Sequence, residues 1–282
     1  MSTMAPSPTR TSPGGTERPR ARRRPKRKGT LLRTYTWAVL AWMFLPILVM
    51  AVFGFNDTTS RYNFRWQGFT LRWWENVFAI PNLTEALVNS FTIAVIVTIV
   101  AVLLGTPMGM ALGRYRYRGR GFTDLVLFAN IAAPEIGLGA ALLSLYLTIG
   151  IPRGYWTIVI AHVMFTIPFV AITVRARMAG LDTSLEEAAR DLGSGPFTTF
   201  RLVTLPLIVP GVLAGGLLAF ALSIDDFIIT QFTAGQTLTF PLWVWGASRL
   251  GVPPQADVMG TIIFLVGVLL AVLGGVAAKR RD

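Results

Sequence analysis

Three carboxylates lie within or next to long apolar segments of the chain: Glu135, Asp225 and Asp226. An ionised acid near the middle of a bilayer costs about 2.5–3.5 kcal/mol on insertion scales, so such side chains face a bundle interior or water. Apart from Arg153, these segments supply no basic side chain that would neutralise the acids. A positively charged substrate is therefore the natural counter-ion. We predict a pathway for a cation, with Ser223 as a further polar contact.

A structural role for the same acids is the alternative. In that interpretation Asp225 caps the segment that follows it, and Glu135 binds backbone groups that Pro134 leaves free. If the acids line a pathway instead, anionic substrates such as phosphate, sulfate or sugar phosphates are disfavoured by charge repulsion.

Residues for covalent catalysis or ATP binding are missing from the sequence. The chain has no cysteine and a single histidine, His162, which makes a metal centre unfavourable. None of its three lysines follows a glycine, so the Gly-x-x-x-x-Gly-Lys loop that cradles phosphates is absent. We expect no catalytic residue and no metal. We predict that His162 forms hydrogen bonds between helices, with a proton or substrate contact as the alternative.

The elements that position these residues are transmembrane helices. The 282 residues are 53% hydrophobic and 14% charged, which is unlike a soluble domain. A span needs about 20 mostly apolar residues. The runs that meet this length predict six spans, at residues 34–56, 86–113, 125–152, 154–174, 202–224 and 258–278. A seventh run, 227–248, contains Thr, Gln, Gly and Pro and predicts an interfacial or re-entrant segment instead.

The distribution of charge predicts the orientation. Of the 26 Lys and Arg residues, those on the outer side in a six-span arrangement are Arg61, Arg65, Arg72, Arg153 and Arg249. This bias follows the positive-inside rule and places both termini in the cytoplasm. The basic, Pro-rich segment 1–33 predicts a disordered tail attracted to anionic lipids rather than to nucleic acid. Residues 34–282 are predicted to form a six-span transmembrane domain.

The first outer loop is rich in tryptophan. Trp66, Trp73 and Trp74 suit the membrane–water interface, where amphipathic rings anchor a protein. The alternative is that this loop forms part of an entrance beneath a docked receptor, with Trp66 in the substrate pathway.

The segment between the fourth and fifth spans predicts a helix–turn–helix. Ser184 precedes Glu187 by the spacing of a capping box, which favours a helix start there. Gly193, Gly195 and Pro196 then break the helix. A second short helix leads into the fifth span.

This segment carries a family resemblance. Glu187, Ala188, Ala189 and Gly193, followed by Leu205-Pro206, resemble the cytoplasmic coupling loop of binding-protein-dependent ABC importers, here about residues 180–206. Val203 stands where that pattern usually has Ile. From about Tyr35 onward the chain is similar to the second permease subunit of spermidine/putrescine importers. The stretches that carry this likeness are NSFTIAV, LGRYRYRGRGF, APEI, LSIDDFIITQFTAG and TFPLWVWGASRLGVPPQ. Relatives often have Asp where this chain has Glu135.

The resemblance implies an all-α membrane protein with the type I ABC importer permease fold. It implies a bacterial inner membrane location and three protein partners: a second homologous permease subunit, a homodimeric ATPase and an extracytoplasmic polyamine-binding protein. ATP would bind the ATPase, so no cofactor is expected on this chain. Other substrates remain open, namely thiamine, ferric iron or another small cation. The alternative from a different class is a membrane channel or scaffold that has no motor.

Overall fold

The computed structural model describes residues 27–60 and 62–279. Most of the predicted tail, Arg61 and the last three residues lie outside it. The helices are α1 (Arg27–Phe53), α2 (Arg72–Glu75), α3 (Leu83–Arg114), α4 (Arg120–Ala132), α5 (Glu135–Thr148), α6 (Tyr155–Ala179), α7 (Ser184–Asp191), α8 (Pro196–Thr199), α9 (Leu205–Ile224), α10 (Ile228–Thr233), α11 (Phe240–Leu250) and α12 (Pro254–Lys279).

The chain divides into two units, one ending at Leu48 and one beginning at Val49. The first unit consists, in its described part, of most of α1. This helix begins at Arg27, within the segment predicted as tail, so the last residues of that segment are helical. Its stretch Leu32–Phe53 is long and apolar enough to cross a membrane.

Three long helices, α3, α6 and α9, form the centre of the second unit. They approach closely because glycines lie at their contacts. A Cβ on Gly105 would sit 2.8 Å from the Val170 Cβ, and one on Gly211 would sit 2.7 Å from the Arg177 Cβ. Small residues allow membrane helices to pack where the hydrophobic effect between them is absent. Buried Val174 fills the space beside these contacts.

The predicted third span is bent rather than straight. Helices α4 and α5 meet at 103° across the break at Ala133 and Pro134. Both residues are extended, because a residue before proline is pushed out of the helical region and proline cannot donate a hydrogen bond. The pair is therefore a broken span or a re-entrant loop, and Glu135 is the first residue of its second half.

Among the described residues, four helical segments are long and apolar enough to cross a membrane on their own, and the bent pair raises this number to five if it is one span. These four lie at residues 32–53, 83–114, 155–179 and 196–224. Helix α12, of 26 residues, covers the predicted sixth span. The segment 227–248 forms the short helices α10 and α11, neither of which reaches the length of a span, as predicted.

Candidate functional site

The loop between α6 and α9 begins with a helix that is capped differently from the prediction. The capping box at Ser184 is absent: Thr183 occupies the N-cap and makes no side-chain cap bond. Asp182 takes this role, since its Oδ1 accepts a hydrogen bond of 2.9 Å from the Ser184 backbone N–H. This backbone bond, and a second one from the Ser184 side chain, hold the pKa of Asp182 below its ordinary value.

The end of α7 requires a glycine. Gly193 has a φ of +83°, in the left-handed region that other residues avoid. Its N–H donates to the Arg190 carbonyl at 2.8 Å, and the Ser194 N–H donates to the Ala189 carbonyl at 3.0 Å. This pair of bonds is a Schellman motif, which satisfies carbonyls at the end of a helix. The predicted break at Gly193 is therefore present.

The chain then enters the fifth span through α8 and a π-helical turn, Phe200–Thr204. Leu205 and Pro206 form the start of α9, directly after this turn and within a helical segment that is continuous from Pro196 to Ile224. Proline has no N–H to donate inside a helix, and the irregular turn lies directly before it. Leu205 packs against the central cluster of α3, α6 and α9, whereas Pro206 is exposed. The predicted helix–turn–helix is thus continuous with a core helix.

Helix α7 has two different faces. Glu187 and Ala188 are exposed, and Ala189 is partly buried. Large apolar side chains lie exposed just beyond the helix, with Leu192 at 88% and Phe197 at 74% of their full accessibility. Such side chains can insert into a partner's groove, the usual way in which a short helix anchors.

The opposite face of α7 carries Glu186, a residue that the sequence reasoning missed. Its side chain is only 13% exposed. Its Oε2 accepts a hydrogen bond of 2.6 Å from the Arg114 guanidinium, and its Oε1 accepts one of 2.9 Å from the Thr204 hydroxyl. The pitch of the helix could have indicated this residue from the sequence. Successive residues of a helix point about 100° apart, so Glu186 and Glu187 cannot lie on the same face.

Asp226 lies in a buried polar network rather than on an open surface. Its Oδ2 is 3.1 Å from the His162 Nε2 and accepts hydrogen bonds of 2.8 Å and 2.9 Å from the Thr230 backbone and hydroxyl. The other ring nitrogen of His162 lies 2.9 Å from the Ser223 hydroxyl. The network joins α6, the end of α9 and α10. His162 thus bonds across helices, and its main side-chain partners are Ser223, Asp226 and Thr230.

The remaining predicted pathway residues lie in other surroundings. Asp225 is exposed at the end of α9, and Glu135 is exposed at the start of α5. In the described part of the chain neither acid has a basic side chain within ion-pair distance. Ser223 is buried with His162. The structure therefore brings Asp225, Asp226 and Ser223 to the same helix end, but only Asp225 presents an open carboxylate there.

The outer loop forms a hydrogen-bonded structure of its own. Asn56 binds Asn63 at 2.7 Å, and Asn63 binds the Asp257 carboxylate at 2.8 Å. The Trp73 indole donates to the Asn56 carbonyl at 2.8 Å, so this ring is held inside the loop. Trp66 is half exposed and packs edge-on against Phe53. Of these two tryptophans, Trp66 is the one that can meet lipid or a ligand.

Comparison with known proteins adds sequence relatives. The family model of the binding-protein-dependent transport system inner membrane component matches residues 21–280. The spermidine/putrescine transport system permease protein PotC of Escherichia coli (strain K12) is 35% identical over 255 residues, which cover 90% of this chain and 96% of PotC. The putrescine transport system permease protein PotI of the same strain is 34% identical over 252 residues, covering 85% of this chain and 89% of PotI.

Solved structures share the fold at low sequence identity. A chain of a bacterial ABC transporter involved in the import of the acidic polysaccharide alginate superposes with a TM-score of 0.66 and 18% identity, over 93% of this chain and 99% of that one. The MetNI methionine ABC transporter in an inward-facing conformation gives a TM-score of 0.59 and 16% identity, over 70% and 94%. These likenesses confirm the predicted all-α, type I ABC importer permease fold.

Proposed function

The chain belongs to the family of binding-protein-dependent transport system inner membrane components, and from this premise we propose that it is the permease subunit of an ATP-driven importer that moves polyamines into the cytoplasm. Its relatives PotC and PotI are spermidine/putrescine and putrescine permease proteins by name. Both are similar to this chain over most of their length.

The observation that carries the proposal is the two-faced loop helix α7. Its outer face offers Glu187 and Ala188 to a partner, and the exposed side chains of Leu192 and Phe197 lie just beyond the helix. Its inner face is fixed to the permease through Glu186. A channel or scaffold without a motor has no need for a helix that is exposed on one side and anchored to the core on the other.

The partners follow from this role. A homodimeric ATPase binds ATP and contacts the outer face of α7, so ATP hydrolysis occurs on another polypeptide. A second, homologous permease subunit completes the pathway. An extracytoplasmic polyamine-binding protein delivers the substrate to the outer loop that contains Trp66. Both termini lie in the cytoplasm of a bacterial cell.

Transport is a rigid-body alternation between inward-open and outward-open states. Closure of the ATPase moves α7, and the helices packed on it tilt. Asp225 contacts the polyamine through charge, because it is exposed and has no basic partner in the described chain. Asp226 is committed to His162 and Thr230 and acts on the pathway by holding its wall in place. Glu135, at the bend between α4 and α5, is the second acid available to the cation.

The test is uptake by liposomes that contain the complete complex. Labelled putrescine and spermidine are offered with ATP inside, in competition with thiamine, ferric iron and other small cations. We expect polyamine uptake that competing polyamines abolish. We expect Asp225→Asn to lower uptake at unchanged complex yield.

Two results would contradict this proposal. Uptake of thiamine or ferric iron in preference to polyamines would show that the proposed substrate is wrong, while the proposal of an ATP-driven importer would stand. ATP-independent flux of polyamine through the chain alone would show that the protein is a channel and not an importer.

A further inference from the structure

Glu186 joins the loop helix to two separate helix ends. One carboxylate oxygen accepts from Arg114, the last residue of α3, and the other accepts from Thr204, directly before α9. The bond from Arg114 is short, at 2.6 Å, the bond from Thr204 has an ordinary length of 2.9 Å, and Glu186 is largely shielded from water. Hydrogen bonds to an ionised group are stronger than neutral ones. A second cation, Arg190, lies 3.8 Å from the oxygen that Arg114 binds.

The two helices held in this way are part of the core. Helices α3 and α9 pack along α6, and glycines at both contacts leave no room for a side chain. Packed interiors shift as bodies rather than deform continuously. A displacement applied at Glu186 therefore reaches the centre of the described permease through both helices at once.

The covalent route from the loop to α9 is helical but not a regular α-helix. It passes through α8, of four residues, and the π-helical turn Phe200–Thr204. A π-helical turn is an uncommon distortion that is frequent at functional sites. Just before the turn, the buried Thr199 hydroxyl has no hydrogen-bond partner in the structure. The bond from Thr204 to Glu186 spans the turn and connects α7 to α9 directly.

We propose that Glu186 is the positioning residue that transmits movement of α7 to α3 and α9. This inference rests on the proposed function, in which an ATPase moves α7. It assigns different tasks to two adjacent glutamates: Glu187, on the exposed face, meets the ATPase, while Glu186 passes the displacement inward. Without Glu186 the ATPase still binds and hydrolyses ATP, but the displacement of α7 is no longer passed to α3 through Arg114, and it reaches α9 only through α8 and the π-helical turn.

The experiment measures transport per ATP hydrolysed in the reconstituted complex, together with the amount of ATPase that co-purifies. Glu186→Gln and Arg114→Gln each remove the ion pair. We expect both to retain the ATPase and its hydrolysis and to lower transport per ATP by about tenfold, within the usual range of coupling between sites. The reversed pair, Glu186→Arg with Arg114→Glu, is expected to recover a large part of the loss.

Asp124→Asn is the matched control. It removes another partly buried ion pair, that of Asp124 with Arg175, which joins α4 to α6 and does not involve α7. We expect it to leave transport per ATP unchanged. If Glu186→Gln prevents assembly, Thr204→Val carries the test, since it deletes one hydrogen bond and keeps the charge.

Each other outcome has a defined meaning. Normal transport per ATP in Glu186→Gln or, where that variant does not assemble, in Thr204→Val overturns the inference. Loss of the ATPase from a Glu186→Gln chain that still pairs with the second permease subunit also overturns the inference, because it would place Glu186 in docking. An equal loss of transport per ATP in Asp124→Asn overturns it too. If the wild-type complex fails to bind an ATPase, the proposed function itself is wrong, and this failure is visible before any variant is compared.

Discussion

Asp225 and Asp226 are adjacent in the chain, yet their carboxylates meet different surroundings. Asp226 is buried and bonded to His162 and Thr230, whereas Asp225 is exposed. The sequence correctly marks the pair as costly in a membrane, but it cannot say which of the two is satisfied by protein. That assignment depends on His162, which is far away in the chain and reaches Asp226 only when α6 and α9 pack.

This difference predicts opposite effects of the same substitution. Asp226→Ala removes one of the partners of His162 and the acceptor of the Thr230 backbone N–H, and a buried hydrogen-bonding group left unsatisfied costs about 1–3 kcal/mol. Asp225→Ala removes an exposed side chain and should change stability by less than about 0.5 kcal/mol. Thermal unfolding of the purified chain in detergent measures both. Equal melting temperatures for the two variants would contradict the network.

At the scale of elements, the break in the loop between α6 and α9 is predictable because its signals are local. Gly193, Gly195 and Pro196 lie within four residues of one another and directly after a short helical pattern, which favours a helix end there, and the structure has that break. The start of α7 is less predictable, because Asp182 and Ser184 are both good capping residues and only the backbone geometry chooses Asp182. Glu186 escapes sequence reasoning because both of its main partners lie on other elements.

Gly193 gives a prediction for the loop. Its φ of +83° costs any other residue about 1–2 kcal/mol, and the Schellman motif depends on this conformation. Gly193→Val should therefore misdirect α8 and lower transport per ATP, while the complex still forms. Gly195→Val is the control, because Gly195 has an ordinary extended backbone and open space around it. Equal transport by the two variants would argue against a coupling role for this turn.

The contact between α3 and α6 gives a second prediction at this scale. A Cβ on Gly109 would overlap the Ala171 carbonyl oxygen and lie 2.9 Å from the Val174 Cβ. Gly109→Ala should therefore force the helices apart and destabilise the chain by about 1–3 kcal/mol. Gly137→Ala, in α5, meets nothing within 4 Å and should be neutral or stabilise by about 0.5–1 kcal/mol. An equal decrease of the melting temperature in both variants would show that the close contact of Gly109 with α6 is not the cause.

For the whole molecule, hydropathy and charge indicate membrane helices and their orientation, but not their shape. The sequence predicts that the third apolar run is one span, but in the structure it is bent by 103° at Ala133 and Pro134. A proline inside an apolar run is compatible with a kinked helix or a full break, and tertiary packing decides between them. The orientation of the helices in the membrane can be predicted without knowing how they pack, because it depends on where the Lys and Arg residues lie along the chain.

The orientation itself can be measured because the chain contains no cysteine. We consider two single-cysteine variants: Leu192→Cys, in the loop between α6 and α9, and Trp66→Cys, in the outer loop. Each replaces an exposed side chain. In intact cells that express the chain without its partners, a membrane-impermeant maleimide should label Trp66→Cys. It should label Leu192→Cys only after the membrane is opened. The reason is that arginines cluster on the Leu192 side of the spans, and positive residues stay in the cytoplasm. Labelling of Leu192→Cys in intact cells would put α7 outside the cell, beyond the reach of any ATPase, and would end the proposal of an importer.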